Sequence, residues 1–426
     1  MNINNISEEL KKSFDEYSIE NIKENIEELR FSNNSMDIYN IWDYNDINIF
    51  VSKNKKIASM NVKDNDYLKK LNEIIKYVPD NNSYYGMNPD IKEYKDNIHE
   101  IDNNDIYDLF NQLIDSAIKN NGNKNSGLIY KISTETTIKT KYGEKTFHNN
   151  GIEIVIRSFN NNFSGQEGLH FGYNAIKKID PYKIGEEAAI TSNITGKTLN
   201  IPEGKYDVLL SPEFSGSIIT ANIDSLSYYN IDSGLSPFID KINTKVGSNK
   251  LSIYDDPLNN NGIGFRPFDD ENTNTNKVNL ISNGVLKSYM HSYSTASESG
   301  YKTTGNAGII YPHPWQIHVK SGNKHISDLI NDIDNGFYIK NSWYTRFQDE
   351  KSGTFSTVPR DGVFYIKNGK IVGTVSGIRI SDSILNILNN IDDISDEEKY
   401  VKWWNEINSS IMPSMIARNI NITKGF

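Results

Sequence analysis

Apolar residues recur every three to five positions in three stretches of the amino-terminal part of the chain, a spacing that is typical of amphipathic helices. This pattern predicts helices over residues 7–30, about 65–77 and about 104–119. The segment between the second and third helices, residues 78–90, consists of turn-forming residues. We expect this segment to be a linker or a long loop.

Other stretches have the composition and the period of β-strands. Short runs rich in Ile, Tyr, Trp and Val predict strands at 37–42, 46–51 and 55–62. From residue 128 onward strands dominate, and isoleucine occupies every second position at the start of GIEIVIRSF (151–159). A period of two places alternate side chains on opposite faces of a strand.

Helix-start signals mark two further elements. Asp180-Pro181 precedes a predicted helix at about 180–193, and a strand at 206–210 runs into Ser211-Pro212-Glu213. Ser is a favoured cap, Pro suits the first helical position, and an acid suits the first turn, so we expect a helix to begin there.

The carboxy-terminal half, residues 230–380, is rich in strand and turn patterns, and helices are predicted near 382–390 and 396–408. For a chain of 426 residues, these elements predict an α+β fold of more than one domain. We expect an amino-terminal α+β domain (1–85), a central α+β domain (100–203) and a large β-rich carboxy-terminal domain (205–426).

The composition excludes several kinds of chemistry. With 45 basic and 55 acidic residues the net charge is −10, so the chain as a whole repels a nucleic acid and we expect no such partner. The chain contains no cysteine. It therefore cannot form a disulfide, a thiolate nucleophile, an iron–sulfur cluster or a cysteine-ligated zinc site.

The amino terminus has no basic region followed by an apolar stretch, and no run of 18 or more apolar residues occurs. These two observations lead us to expect a soluble, cytoplasmic protein that does not associate with a membrane.

Spacing alone reveals no catalytic or metal-binding constellation. His313 and His318 are the closest pair among the seven histidines, but a spacing of five around Pro314 is not the i, i+4 pair of a helix. The acidic run from Asp269 to Glu271 could gather a cation, although such a loop is usually a solvated surface.

Ordered segments over nearly the whole chain resemble the TldD/PmbA family, also called the modulator-of-gyrase family. The longest is 264–308, with the acidic turn Asp269–Glu271, a stretch from Leu280 to His291, and the run Thr304–Ala307. Segments similar to the family's carboxy-terminal strand pair, its strand-to-helix junction and its amino-terminal strand lie at 352–380, 206–218 and 30–39. The resemblance implies a PmbA/TldD-like multidomain fold.

The family contains two kinds of subunit. In the catalytic TldD type, the junction helix carries His-Glu-x-x-x-His and a later cysteine completes a zinc site. When the chain is aligned with the family at Ser211-Pro212, the first His, the Glu and the second His of this motif fall on Thr220, Ala221 and Ser225. The chain therefore resembles the PmbA/TldE type, and the resemblance implies no catalytic residue and no metal in this chain, with zinc expected only in a TldD-type partner.

The same resemblance implies that two subunits pair around an enclosed chamber that receives an unfolded peptide. The partner would be a TldD-type catalytic subunit in a heterodimer, or a second copy of the chain. Gly305, Asn306, His291 and Asp269 are the candidates for residues near the chamber. A tight turn at Gly305-Asn306 and simple packing of His291 are the alternative interpretations.

Two other functions stay open at this point. A stand-alone metallopeptidase would need unorthodox ligands from His291, His313, His318 and Asp269 or Asp270. A non-enzymatic protein that binds peptides or regulates gyrase, as a self-paired dimer, would need no metal at all.

Overall fold

The computed structural model describes residues 2–96, 105–194, 197–402 and 408–424. Its amino-terminal part is a sheet of three strands with two helices whose apolar faces share one core with it. Leu10, Ile19, Ile49 and Leu71 are fully buried there. The elements are α1 (Ile3–Ser13), β1 (Glu16–Ser32), β2 (Ser35–Lys53), β3 (Lys56–Asn61) and α2 (Tyr67–Tyr77).

The helix predicted over residues 7–30 is wrong beyond Ser13. The chain from Glu16 to Ser32 is strand β1, which pairs antiparallel with β2 on one side and with β4 (Lys124–Thr140) on the other. Two ladders satisfy the backbone N–H and C=O groups of β1, and this long-range pairing outweighs a local spacing that fits a helix equally well.

The central part extends the same sheet. Its elements are α3 (Ile106–Lys119), β4, β5 (Glu144–Asn160), β6 (Phe163–Gly172), α4 (Tyr173–Ile176) and α5 (Pro181–Asn193). Strands β2, β1, β4, β5 and β6 are antiparallel neighbours in that order. The segments 1–85 and 100–203 therefore share one sheet, and their division into two domains stays a prediction.

The carboxy-terminal half is built mainly of strands around one central helix. Strand β8 lies between β13, to which it is parallel, and β18, to which it is antiparallel. The elements are β7 (Thr198–Leu199), β8 (Gly204–Leu210), α6 (Pro212–Ile223), a 3₁₀ turn (Asp224–Leu226), α7 (Tyr228–Asp232), β9 (Ile253–Asp255), β10 (Val278–Ser282), β11 (Val285–Leu286), α8 (Tyr293–Ser299), β12 (Gln316–Val319), α9 (Ile326–Asn331), β13 (Asn335–Asp349), β14 (Thr354–Lys367), β15 (Lys370–Val375), β16 (Ile378–Ser383), α10 (Ile384–Asn389), β17 (Ile391–Val401) and β18 (Ser409–Lys424).

The helix predicted near 396–408 is wrong as far as Val401, because this stretch belongs to strand β17, which pairs antiparallel with β18. Residues 403–407 of that prediction lie outside the described residues. The helices predicted near 65–77, 104–119, 180–193 and 382–390 are confirmed as α2, α3, α5 and α10.

The fold is a mixed α+β architecture, as predicted. Most of the apolar core is a single cluster, in which helices α3, α5, α6 and α10 pack against the strands of the central and carboxy-terminal parts. Within the part of the chain that the structure describes, no helix is both long and apolar enough to cross a membrane.

Candidate functional site

Helix α6 passes through the middle of the carboxy-terminal half, directly after strand β8. Ser211 caps it, because its Oγ accepts a hydrogen bond from the backbone N–H of Phe214 at 3.1 Å, and Pro212 follows in the first turn. Every residue of the helix except Ala221 is buried, with β13 and β18 packed against it. A helix covered on all sides is a core element, so its side chains are fixed in position.

Of the three positions that align with the zinc motif, Thr220 and Ala221 lie in the last turn of this helix and Ser225 lies in the 3₁₀ turn that follows it. Oγ1 of Thr220 donates to the carbonyl oxygen of Gly216 at 2.8 Å, and Oγ of Ser225 donates to the carbonyl oxygen of Asn222. Ala221 has no polar side-chain atom. Both hydroxyls are therefore used within their own turns, and these side chains do not fit a zinc site, which proteins build from His, Cys, Asp and Glu.

A buried cluster of charged residues surrounds the start of α6. Glu167 of β6 is fully buried and accepts from two ammonium groups, Nζ of Lys340 at 2.8 Å and Nζ of Lys399 at 2.8 Å. Lys399 also pairs with Glu187 of α5. Glu213, in the first turn of α6, is the fifth member of this cluster, which ties five elements together.

The two central carboxyls of the cluster are in opposite protonation states. Burial raises the pKa of Glu167, but the facing Lys340 and Lys399 outweigh burial and hold that pKa below its usual range. Burial and the neighbouring Glu167 raise the pKa of Glu213 to about 8. At neutral pH the protonated Glu213 therefore donates a hydrogen bond to the Glu167 carboxylate.

Asp269 organises the acidic turn from the inside. Its Oδ1 accepts from the backbone N–H of Glu271 at 3.0 Å and of Thr273 at 2.9 Å, and its Oδ2 accepts from the N–H of Ala307 at 3.1 Å. Burial raises the pKa of Asp269 to about 6, although these hydrogen bonds lower it. The carboxylate thus joins the acidic turn to the Thr304–Ala307 run.

Asn306 makes a second fixed connection beside Asp269. Its Nδ2 donates to Oδ2 of Asp255 at 2.6 Å and to the carbonyl oxygen of His313 at 2.9 Å. Oδ1 of Asp255 in turn accepts from the backbone N–H groups of Trp315 at 3.0 Å and Gln316 at 2.8 Å. Asn306 and Asp255 are fully buried, so this pair holds two loops in register.

Gly305 occupies a conformation that other residues rarely adopt, with φ of +75°. A Cβ there would lie 2.9 Å from Cα of Thr275 and 3.0 Å from the carbonyl oxygen of Asn274. Its own carbonyl oxygen accepts from Nε1 of Trp315 at 2.8 Å. The site therefore requires glycine for a tight turn and close backbone packing.

Arg266 connects the acidic turn to the amino-terminal sheet. Its Nη2 lies 3.0 Å from Oε1 of Glu20 on β1 and also pairs with Asp270. Its guanidinium carbon lies 4.6 Å from the ring centre of Trp315 and 5.4 Å from that of Phe147. The two carboxyl groups and the two aromatic rings therefore hold this arginine between the amino-terminal sheet and the carboxy-terminal half.

His291 lies between two tyrosine rings. Its ring centre is 4.7 Å from that of Tyr228 and 5.4 Å from that of Tyr301, and its Nδ1 is 3.3 Å from Oγ1 of Thr295. Burial lowers the pKa of His291 to about 4. The imidazole is therefore neutral at physiological pH.

The four predicted chamber residues come together around the segment 303–307. Asp269 binds the N–H of Ala307, and the carbonyl oxygen of His291 accepts from the N–H of Thr304 at 3.3 Å. The same region adjoins the end of α6, because the N–H of Met290 donates to the carbonyl oxygen of Leu226 at 2.9 Å. Their contact with a substrate stays a prediction.

The histidines considered for a stand-alone metal site do not converge. Nδ1 of His313 lies 3.0 Å from the carbonyl oxygen of Pro314. His318 lies between two carboxylates, with Nδ1 3.3 Å from Oδ2 of Asp256 and Nε2 3.1 Å from Oε1 of Glu398. Among the described residues, no group of three or more His, Asp or Glu side chains could hold a metal ion.

His318 gives a testable pH dependence. Burial lowers the pKa of His318, but Asp256 and Glu398 outweigh burial and raise it above its usual value. A raised folded-state pKa contributes stability that is complete below the unfolded value of about 6.5 and is lost as pH rises through the folded value. We expect His318→Gln to lower the free energy of unfolding by about 1–3 kcal/mol near pH 6 and by less near pH 9.

Urea denaturation at several pH values measures this difference. His325→Gln is the matched control, because the His325 side chain is 74% exposed while pairing with Asp396. A deficit for His318→Gln that grows with increasing pH would contradict the assignment of a charged histidine.

Two cavities lie where the amino-terminal sheet meets the carboxy-terminal half. One of about 290 Å³ is lined by residues of β1, β2, the 78–90 loop and the 308–312 loop, with Asp232, Asp270, Glu271 and Glu298 as its acidic lining residues. A more open groove of about 490 Å³ is lined from β1, β4 and β5 on one side and by Arg266, His313 and Trp315 on the other. None of the predicted chamber residues Asp269, Gly305, Asn306 and His291 lines either cavity, although Asp270 and Ser292, next to two of them in the chain, line the first.

A family model described as the PmbA/TldA metallopeptidase C-terminal domain matches residues 203–424, which include α6, the acidic turn and the Thr304–Ala307 run. The chain belongs to the PmbA/TldD family. The match starts at β8 and ends at β18, so it covers the buried helix and all the strands around it.

One curated relative matches a longer part of this chain than the family model does. A metalloprotease of Methanocaldococcus jannaschii is 28% identical over 378 residues, 84% of this chain and 79% of that protein. The matches to several other curated metalloproteases cover half of those proteins or less.

Two crystal structures share the fold. One is TldE from Thermococcus kodakarensis, with a TM-score of 0.79, 16% identity and 99% of both chains covered. The other, from Thermotoga maritima, is described as a candidate modulator of a DNA gyrase and has a TM-score of 0.78, 22% identity and 96% of both chains covered. At sequence identities of 22% and 16%, this structural similarity establishes the fold alone.

Nothing in the sequence pattern singles out the charged side chains that fix the site. Glu167, Lys340 and Lys399 come from three strands, and Asp255 and Arg266 pair with residues far away in the chain. One sequence signal could have found them, namely a charged residue inside or beside an apolar strand. Such a residue is rarely buried without a partner, so its position in a strand indicates a buried ion pair.

Proposed function

We propose that this chain is the non-catalytic, PmbA/TldE-like subunit of a TldD/TldE-type metalloprotease that acts on unfolded peptides in the cytoplasm. It would supply half of the substrate chamber, and a TldD-type partner would supply the zinc. The observation that carries the proposal is that Thr220, Ala221 and Ser225 have no side-chain group available to bind zinc or to act as a base. Two hydroxyls bonded within their own helical turns and one methyl group stand where the catalytic type has its ligands and base.

The zinc-bound water of a metallopeptidase needs three protein ligands and a general base. A chain without cysteine lacks one of the family's ligands, and Thr220, Ala221 and Ser225 offer no imidazole or carboxylate to replace the others. We therefore assign no catalytic residue and no cofactor to this chain.

The proposed contribution to peptide binding is structural and lies in the turn around 303–307. Asp269, Asn306, Gly305 and His291 hold the acidic turn and the segments next to Ser292 and Gly308, which line the first cavity. Because β1 and β4 are each paired on both sides, the open groove on their face would hold an extended peptide through side-chain contacts and not through a strand edge. This use of the groove requires neither a nucleic acid nor a membrane.

Reconstitution tests the proposal. We expect the purified chain to contain no stoichiometric zinc and to leave an unfolded peptide intact. Addition of a TldD-type subunit from the same organism should raise cleavage by about two orders of magnitude or more over either chain alone. Metal analysis and peptide cleavage, with and without a chelator, measure both expectations.

Matched variants of the two subunits test which of them carries the catalytic residues. Thr220→Val and Ser225→Ala in this chain should leave cleavage by the mixture unchanged, whereas replacement of the motif glutamate of the partner by glutamine should abolish it. Chelator-sensitive cleavage by the isolated chain would instead establish a stand-alone metallopeptidase. A stable self-dimer that binds peptide but never associates with a TldD-type subunit would establish a binding or regulatory protein.

A further inference from the structure

Strand β2 has a long free edge. It pairs with β1 from Ser35 to Ser52, but β3 covers its other side only from Asn48 to Lys53. In the described part of the chain, the backbone of residues 36–46 therefore has no strand on its outer side. Such an edge presents unpaired N–H and C=O groups that can accept another strand.

The free edge is also apolar. Six large hydrophobic or aromatic side chains on it are between 37% and 57% exposed, which is unusual for one continuous segment of a soluble protein. They are Met36, Ile38, Tyr39, Ile41, Trp42 and Tyr44.

Few of the usual protections of a free edge cover most of this run. Proteins guard exposed edges with charged residues, above all lysine, with proline, with a bulge or with a covering segment. Residues 35–52 contain neither lysine nor proline, and the one register shift between β1 and β2 leaves Asp37 unpaired at the start of the exposed run, so the edge from Ile38 to Asp46 continues without a bulge. An apolar edge of this length would aggregate if it stayed uncovered, so a permanent occupant fits better than a transient peptide.

The charge of the edge selects the kind of occupant. Its only Asp, Glu, Lys, Arg or His residues from 35 to 52 are Asp37, Asp43 and Asp46. Asp46 pairs with Lys63, whereas Asp43 accepts a neutral hydrogen bond from Asn25 and Asp37 is exposed. A second copy of this chain would bring further carboxylates onto the same ladder, and like charges across a strand pair are unfavourable.

The neighbouring strands do not provide the missing positive charge. Lys23, Arg30 and Lys131 are each paired with a glutamate of the same sheet. The charge must therefore come from the added strand.

We propose that residues 36–46 of β2 dock an extended strand of the catalytic partner subunit, and that this strand carries lysine or arginine opposite Asp37 and Asp43. The identity of the partner rests on the proposed function, whereas the edge and its charge do not. The added strand would continue the β2–β1–β4 sheet across the interface and cover the six exposed side chains.

Hydrogen–deuterium exchange on the intact chain, alone and mixed with a TldD-type subunit, tests the docking directly. We expect the amides of 36–46 to become protected in the mixture. Asp37→Lys/Asp43→Lys should weaken association about tenfold or more, and Trp42→Ser about 30-fold. Glu73→Lys/Asp80→Lys is the control, with the same charge change at exposed positions outside the edge, and it should associate like the wild type.

The outcomes separate the two proposals. If the chains associate but the edge amides stay unprotected, or the edge variants bind like the wild type, the docking proposal is overturned and the proposed function stands. Protection of the edge by an unfolded peptide alone, or by self-association detected in light scattering, also overturns it. If no TldD-type subunit associates at all, the proposed function fails. Exchange in the rest of the sheet shows that each variant is folded.

Discussion

Replacement of Glu167 by glutamine is expected to lower the free energy of unfolding by about 3–5 kcal/mol. Glu167 is fully buried and faces the ammonium groups of Lys340 and Lys399, both at 2.8 Å. Glutamine keeps the size of the side chain but removes its charge, so Lys340 loses its paired carboxylate and Lys399 keeps only Glu187. An uncompensated buried charge costs far more than the net worth of the ion pair.

The matched variant is Glu213→Gln, in the same cluster. Because the pKa of Glu213 is raised to about 8, this side chain is neutral at pH 7, and glutamine preserves a neutral donor toward Glu167. A carboxyl with a raised folded-state pKa makes the folded state less stable as pH rises from about 4.5 toward that value. We therefore expect Glu213→Gln to change stability little at pH 5.5 and to be more stable than the wild type at pH 8.5.

Urea or guanidinium denaturation of both variants at these two pH values provides the measurement. Equal losses for Glu167→Gln and Glu213→Gln at pH 7 would contradict the assignment of opposite protonation states. A wild type whose stability rises between pH 5.5 and 8.5 through this cluster would contradict the raised pKa.

Local signals in the sequence predicted the helices well. Asp180-Pro181 and Ser211-Pro212-Glu213 mark where α5 and α6 begin, and regular apolar spacing marks α2 and α3. These features depend on residues within one or two turns. Strands β1 and β17 were predicted as helices, because their extended form depends on ladders with β2, β4 and β18 that a local pattern does not contain.

The candidate site could be predicted in part. The family resemblance located Thr220, Ala221 and Ser225 as positions without zinc-binding side chains, and it pointed to the four residues that gather around the segment 303–307. It did not predict that Asn306 binds Asp255 or that Arg266 reaches Glu20. These contacts depend on how distant loops pack, and the residue types alone do not determine their partners.

Arg266→Met is expected to destabilise the junction between the amino-terminal sheet and the acidic turn by about 3–5 kcal/mol at neutral pH. Arg266 is 12% exposed and pairs with Glu20 on β1 and with Asp270. Methionine can keep much of the packing against Phe147 and Trp315, but it leaves both carboxylates without their cation. Because Arg266 also lines the open groove, the variant should weaken peptide binding together with stability.

The size of this effect should depend on pH in a defined direction. Burial and the neighbouring Glu20 and Asp269 raise the pKa of Asp270, and Arg266 opposes them. Without the arginine that pKa rises further, so the folded variant binds more protons than its unfolded state, and its deficit grows as pH rises. Denaturation at pH 5.5 and pH 8 should show the smaller loss at the lower pH.

Two further variants distinguish charge from packing. Glu20→Gln/Asp270→Asn in the Arg266→Met background should recover most of the lost stability, because it removes the uncompensated carboxylates. Arg418→Met is the exposed control, since Arg418 also pairs with two carboxylates, Asp207 and Asp392, but is 29% exposed and should lose about 1 kcal/mol or less. If the triple variant is no more stable than Arg266→Met, packing against the two rings, and not charge, holds the junction together.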